Sequence, residues 1–284
     1  MICQRLEITN SYLYFVFDCA STTMSRILYH NSSCCDTNPM ITVCEVPAGT
    51  YPIGDSRNPI SRSAHTVKLS AFAIAQTTVT NIEFLNFIAA GGYQEPRYWS
   101  EMGWHWQEGK EITKPFFFDD PLFNAPDQPI VGVCWYEADA YARWLAEVEG
   151  LPWRLPSEAE WEVAAQGPDA EAPRPRNYNT AERQVGHPWA VTEAGNTSWC
   201  GALDLCGNVW EWCSTRWGKN WQTQDFRYPY HAGDGREDLT GSHARLIRGG
   251  SWFDPLTEAN PTNRARYLPG SRGSNIGFRL ARSL

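Results

Sequence analysis

The sequence has no apolar run long enough to cross a membrane, no Cys-x-x-Cys pair and no excess of basic charge. A spanning helix needs about 20 consecutive apolar residues. The stretch Tyr12–Phe17 stops at Asp18 and follows no basic segment, so it does not read as a secretory leader either. Lys and Arg number 24 against 32 Asp and Glu, a formal net charge of −8. Phosphate-backbone recognition needs a clustered basic surface, so no nucleic-acid partner is expected. The nine cysteines are odd in number and follow no disulfide framework, which points to a reducing compartment and a cytoplasmic location. The six histidines, His30, His65, His105, His187, His231 and His243, show no metal-ligand spacing. There is no phosphate-binding glycine loop, nucleophile elbow, heptad array or internal repeat.

What the sequence does hold is aromatic and turn-forming. Among 284 residues are 14 Trp, 12 Tyr, 12 Phe, 22 Gly and 19 Pro. That composition predicts a loop-rich fold held by large rings rather than by long regular elements. Residues 1–39 lack periodicity, carry Cys3, Cys19, Cys34 and Cys35, and read as a poorly ordered extension or as sequence upstream of the natural start, with Met24 and Met40 as alternative starts. Residues 40–284 read as one domain, because no linker divides them.

Within that domain, Ile41–Val46 and Tyr51–Gly54 read as strands, and His65–Ile74 alternates as a third. Thr80 and Glu83 form a capping box ahead of a helix with Phe84, Phe87 and Ile88 on one face, ending at Gly91-Gly92. Residues 93–127 are aromatic without period and predict a loop folded over the core or a pocket wall; His105 lies there between Trp104 and Trp106, a ring packed among tryptophans. Pro129–Cys134 reads as a buried strand. Tyr136–Glu149 reads as a helix with Ala138, Tyr141, Ala142, Leu145 and Val148 inward. Ser157 and Glu160 cap a short helix running to Ala165. A turn at Gly207-Asn208 follows, and residues 214–244 read as loop. Glu158 and Glu160, two apart on a helix, diverge and do not suit paired acid–base work.

The closing segment concentrates the remaining signal. Arg248-Gly-Gly-Ser-Trp252 pairs glycines, which permit close backbone approach, with an aromatic. It then runs through Arg264, Arg266 and Arg272 to Ile276-Gly-Phe-Arg279. Such a segment predicts either two core strands joined by a surface loop or the lining of a ligand cleft.

Four blocks in this order carry a resemblance: Thr78-Val-Thr-Asn81, Arg154-Leu-Pro-Ser-Glu-Ala-Glu-Trp-Glu162, Gly207-Asn-Val-Trp-Glu-Trp212, and Arg248–Trp252 with Ile276–Arg279. Together they resemble the formylglycine-generating enzyme, or sulfatase-modifying factor, family, which includes the C-terminal domain of hercynine oxygenases and the pyoverdine-maturation oxidase. The segment from Gly91 to Pro115 looks most similar to the hercynine-oxygenase branch. The resemblance implies an α+β fold, an irregular variant of the C-type-lectin type.

Copper-dependent members carry two cysteines, three and eight residues after the serine of the Gly-Gly-Ser motif. Here those positions are Asp254 and Ala259. Cu(I) needs soft sulfur ligands, so formylglycine generation by the family mechanism is not expected. The hercynine-oxygenase iron ligands sit mainly in a separate helical domain with a His-x3-His-x-Glu pattern absent here, so neither iron nor copper is expected. Calcium is: the family's site maps onto the side chains of Asp204 and Glu211 and the backbone carbonyls of Gly207 and Val209, hard oxygen donors of the kind Ca2+ takes. A second family site would fall near Asn179-Thr180, where no acidic partner is evident.

Two functions follow. One is a calcium-stabilised binding module for a peptide, protein or small-molecule ligand, as in receptor-like relatives and the variable proteins of diversity-generating retroelements. Its expected contacts are Ser251, Trp252, Phe253, Asp254, Arg264, Arg266, Tyr267, Arg272, Ser274 and Asn275. The other is a non-heme metal-dependent oxidase or oxygenase acting on a peptide or thiol.

Overall fold

The computed structural model describes residues 41–57, 63–169, 177–193 and 195–284. The expectations for residues 1–39 lie outside these. Residues 41–284 form one compact unit of mixed helix and strand.

Among the described residues, nine short strands make three sheets. β1 (Val43–Val46), β4 (Phe72–Ala75) and β9 (Ala281–Ser283) form an antiparallel sheet in the order β1-β4-β9. β2 (Gly49–Ile53) and β3 (His65–Leu69) form a hairpin. β5 (Trp210–Gly218), β6 (Ala244–Arg248), β7 (Arg264–Tyr267) and β8 (Ile276–Gly277) form the central sheet in the order β7-β6-β5-β8. β8 pairs in parallel with the start of β5, Trp210 opposite Ile276, so the two terminal family blocks meet edge to edge. The alternation read across His65–Ile74 is therefore two strands in different sheets, broken at Ser70-Ala71.

Four α-helices are described beside these sheets. α1 (Asn81–Ala89) starts at the capping box: Thr80 accepts from the Glu83 backbone and the Glu83 carboxylate reaches back. Phe84 and Phe87 face the core. α2 (Glu101–Gln107) lies inside the stretch read as loop, capped by Ser100 and seated on Tyr136 through Gly103. His105 on α2 is exposed rather than packed. α3 (Trp135–Glu149) ends at Gly150, whose φ of 66° is left-handed. Its inward face is as expected except Val148, which is 53% exposed. α4 (Glu158–Gln166) opens on the Ser157–Glu160 capping box and is buried along its whole length.

Pro129–Cys134 is not a strand. Ile130 donates to the Val79 carbonyl and Gly132 to that of Gly273, so its backbone is satisfied by neighbouring loops, with a single bridge, Thr80 to Pro129. Conversely, β5 runs from Ser214 to Gly218 into the region read as loop. One cluster of rings, Phe84, Phe87, Tyr93, Tyr141, Trp144 and Phe278, fills the space between α1, α3 and the C-terminal strands. A second, around Trp161 and Trp217, lies between α4 and the central sheet.

Candidate functional site

The Gly-Gly-Ser-Trp block leaves β6 in a turn that glycine alone permits. Gly249 and Gly250 have φ of 107° and 76°, and a Cβ on Gly250 would stand 2.9 Å from the Glu258 carbonyl. The Gly249 carbonyl accepts from the Gly207 amide at 2.9 Å, and the Trp252 amide donates to the Asn208 carbonyl at 2.9 Å. The Gly-Asn-Val-Trp-Glu turn and the Gly-Gly-Ser-Trp turn are thus one stitched unit.

That unit fixes a carboxylate. Asp254 Oδ2 accepts from the indole of Trp210 at 2.8 Å and from the hydroxyl of Ser251, and Ser251 Oγ in turn accepts from Asn275 Nδ2 at 3.1 Å. The start of β5 supplies Trp210, the turn after β6 supplies Ser251 and Asp254, and the residue before β8 is Asn275. Trp252 forms the neighbouring wall, its ring 6.1 Å from Phe123 and its indole donating to the Ser274 carbonyl. Phe253 stands beside it, 68% exposed. Ala259, at the other position compared with the family's cysteines, is buried in an apolar cluster with Leu256. Trp210, which positions Asp254, was absent from the residues expected by sequence; its membership in the Gly-Asn-Val-Trp-Glu block was the available signal.

The structure brings Ser251, Trp252, Asp254 and Asn275 together and separates the arginines from them. Arg264 is 1% exposed and grips Glu158 through two bonds of 2.8 and 2.9 Å, so it belongs to the core and not to a cleft. Arg236 and Arg248 approach the same carboxylate at 3.7 and 3.9 Å, and Arg248 also pairs with Glu162. Arg272 is pinned on Glu137, which also accepts from Tyr93 and from the Cys134 amide. Its guanidinium lies 4.9 Å from the Trp106 ring centroid. Arg266 and Tyr267 sit at the far end of β7: Arg266 stacks on Trp217 and donates to the Trp221 carbonyl, and Tyr267 is 45% exposed. Burying a guanidinium is costly unless its charge is paired, and Arg264, Arg248 and Arg272 each have a carboxylate partner.

At the calcium position, the two acidic side chains differ. Glu211 is fully buried and accepts from Arg279 Nε and Nη2 at 2.7 Å each and from the Trp161 indole at 2.7 Å. Asp204, with φ of 51°, takes the Asn196 amide on Oδ1, while Oδ2 is buried without a hydrogen-bond partner. Burial pushes its carboxyl up to about 7, against the pull of Arg279 and with the push of Glu211. An orphaned buried carboxylate oxygen is a hard donor suited to a calcium ion; Glu211 would serve only while shared with Arg279. Near the second position, Asn179 Oδ1 is likewise buried without a partner, and Thr180 donates to Glu182 at 2.7 Å. Among the described residues, no group of three His, Cys, Asp or Glu side chains is placed to hold a metal ion. No described helix is long and apolar enough to cross a membrane.

With this geometry in hand, comparison with known proteins places the chain. Residues 32–284 match the sulfatase-modifying factor enzyme 1-like domain, and the chain belongs to that family. Hercynine oxygenase of Mycolicibacterium thermoresistibile is 33% identical over 248 residues, covering 78% of this chain and 52% of the relative. The chain thus spans about half the length of that curated relative. Formylglycine-generating enzyme of Streptomyces coelicolor is 30% identical over 292 residues, covering 83% of this chain and 87% of the relative. The solved structure of PvdO from Pseudomonas aeruginosa superposes with a TM-score of 0.58 at 23% identity, over 85% of this chain and 94% of that one, a likeness of fold.

Proposed function

We propose that the domain is a binding module of the sulfatase-modifying factor family, whose recognition cleft centres on Asp254 and which does not use copper–thiolate chemistry. The carrying observation is Asp254 itself. It stands where copper-dependent members carry a cysteine, and Trp210 and Ser251 hold its carboxylate in place. A fixed carboxylate beside the Trp252 ring and the exposed Phe253 ring suits the ammonium or guanidinium of a peptide, with the aromatics supplying contact area. Calcium at Asp204 would brace the turn that is stitched to this cleft, with Gly207, Val209 and Glu211 as the other donors.

A positional peptide array probed with the wild-type chain and with Asp254→Asn tests the reading. The expected result is retention of peptides bearing Lys, Arg or a free amino terminus, lost in the variant. Indistinguishable arrays would sink it.

A second reading rests on the likeness to hercynine oxygenase. In it the chain is the substrate-binding part of a metal-dependent oxidase or oxygenase whose metal is held with residues from elsewhere. Iron or copper near one per chain in the purified protein would favour this reading.

A further inference from the structure

A cavity of about 380 Å³ opens between the β3–β4 turn, α3, the start of α4, β5 and the loop before β6. None of its lining residues belongs to the Asp254 group. Its size is that of a small-molecule site, where apolar walls and a few fixed polar groups set orientation. Leu69, Leu155 and Leu239 supply apolar wall, and Asp139, Glu160 and Glu237 bring carboxylates to it.

The charges around the cavity do not cancel. Glu160 is saturated: Arg154 forks onto both its oxygens at 2.8 and 2.6 Å, and Ser157 adds its amide and hydroxyl. Asp139 is 5% exposed and is hydrogen-bonded by one cation, Arg143 Nε at 2.8 Å, which reaches in from the surface, with Arg245 acting on it from further off. Among the described residues Glu237 has no cation within ion-pair distance; it accepts from the hydroxyls of Ser214 at 2.7 Å, Thr215 at 2.6 Å and Tyr230 at 2.8 Å. The nearby cation Arg245 gives Glu237 no hydrogen bond: it is stacked 4.1 Å from the Trp135 ring centroid and donates to the carbonyls of Ser214 and Asp238, while its charge acts on both Glu237 and Asp139 from a distance. Lys68 lines the cavity from an exposed position on β3. Three hydroxyls orient Glu237 without neutralising it, and taking such a charge out of water unpaired is unfavourable. Burial accordingly pushes the carboxyls of both Glu237 and Asp139 upward.

We propose that this cavity is a second ligand site, taking a small organic cation whose ammonium or guanidinium docks on Glu237 and Asp139 and whose apolar body lies against Leu69, Leu155 and Leu239. It is independent of the Asp254 cleft.

Titration calorimetry of the full chain tests it with phenethylamine, its neutral isostere 2-phenylethanol and the anion phenylacetate. The amine is expected to bind saturably, the alcohol about tenfold more weakly, as for one lost charge-assisted hydrogen bond, and the acid not at all. Glu237→Gln should weaken the amine about tenfold in a protein that still melts cooperatively, and the Glu237-dependent binding should persist in Asp254→Asn. Should Glu237→Gln fail to fold, Leu239→Trp, which fills the cavity wall, should abolish amine binding instead. Equal binding of amine and alcohol, absence of saturable amine binding, or full binding by the folded variants overturns the proposal. Loss of amine binding in Asp254→Asn would instead show that the amine titrates the other cleft, and that too overturns it.

Discussion

Replacing Arg264 by alanine separates a core arginine from a cleft arginine. Arg264 and Glu158 are both fully buried and joined by a two-pronged pair. Removing one partner of such a pair strands the other charge, at about 3–5 kcal/mol. Arg236 at 3.7 Å and Arg248 at 3.9 Å keep part of the compensation, which favours the lower end, about 3 kcal/mol. For a domain of this size each kcal/mol moves the melting temperature by about 2–4 °C, so Arg264→Ala should melt about 6–12 °C lower. Differential scanning calorimetry reads this directly. Glu158→Gln combined with Arg264→Met should lose less than the sum of the two single losses, because the double variant leaves no stranded charge between them. An Arg264→Ala protein melting with the wild type, but losing peptide retention on the array, would refute this placement and return Arg264 to the recognition surface.

Three further outcomes follow from the same structure. Calcium should raise the melting temperature and a chelator lower it, by about 2.7 kcal/mol at a hundredfold excess over Kd; Asp204→Asn should abolish the response, and equal melting with calcium and chelator would count against the site. Glu237 has a folded-state pKa above its ordinary 4.5. Its stabilising contribution is therefore complete below 4.5 and is lost as pH rises through the higher folded value. Denaturant titrations should show Glu237→Gln losing less stability than the wild type across that rise, and parallel profiles would contradict it. Trp210→Phe removes the indole bond to Asp254, and should weaken peptide retention while costing about 1 kcal/mol of stability; undiminished retention would show that Asp254 needs no such orientation.

What could be read from sequence was local. Capping boxes at Thr80 and Ser157 are written within four residues and both form. The family blocks are contiguous strings, and the structure joins them: the Val79 amide donates to the Phe278 carbonyl and Trp210 pairs with Ile276. The misread parts depend on distant partners. The arginines of the closing segment pointed to a cleft because Glu158 lies 106 residues from Arg264, and Glu137 lies 135 from Arg272. No spacing rule reveals such pairs. Pro129–Cys134 is apolar enough for a strand, but Val79 and Gly273 take its amides where a sheet neighbour would. The aromatics of α2 serve both a helix face and a core lid, so no single period marks it in the sequence. Trp210 was visible as part of a motif, while its role depends on Asp254, 44 residues later.

The central claim is that this member of the family recognises a ligand without a redox metal. Elemental analysis of the purified, undialysed full chain tests it most directly. The account predicts calcium near one equivalent per chain, with iron and copper far below one. Iron or copper near one per chain, retained through gel filtration, would contradict it.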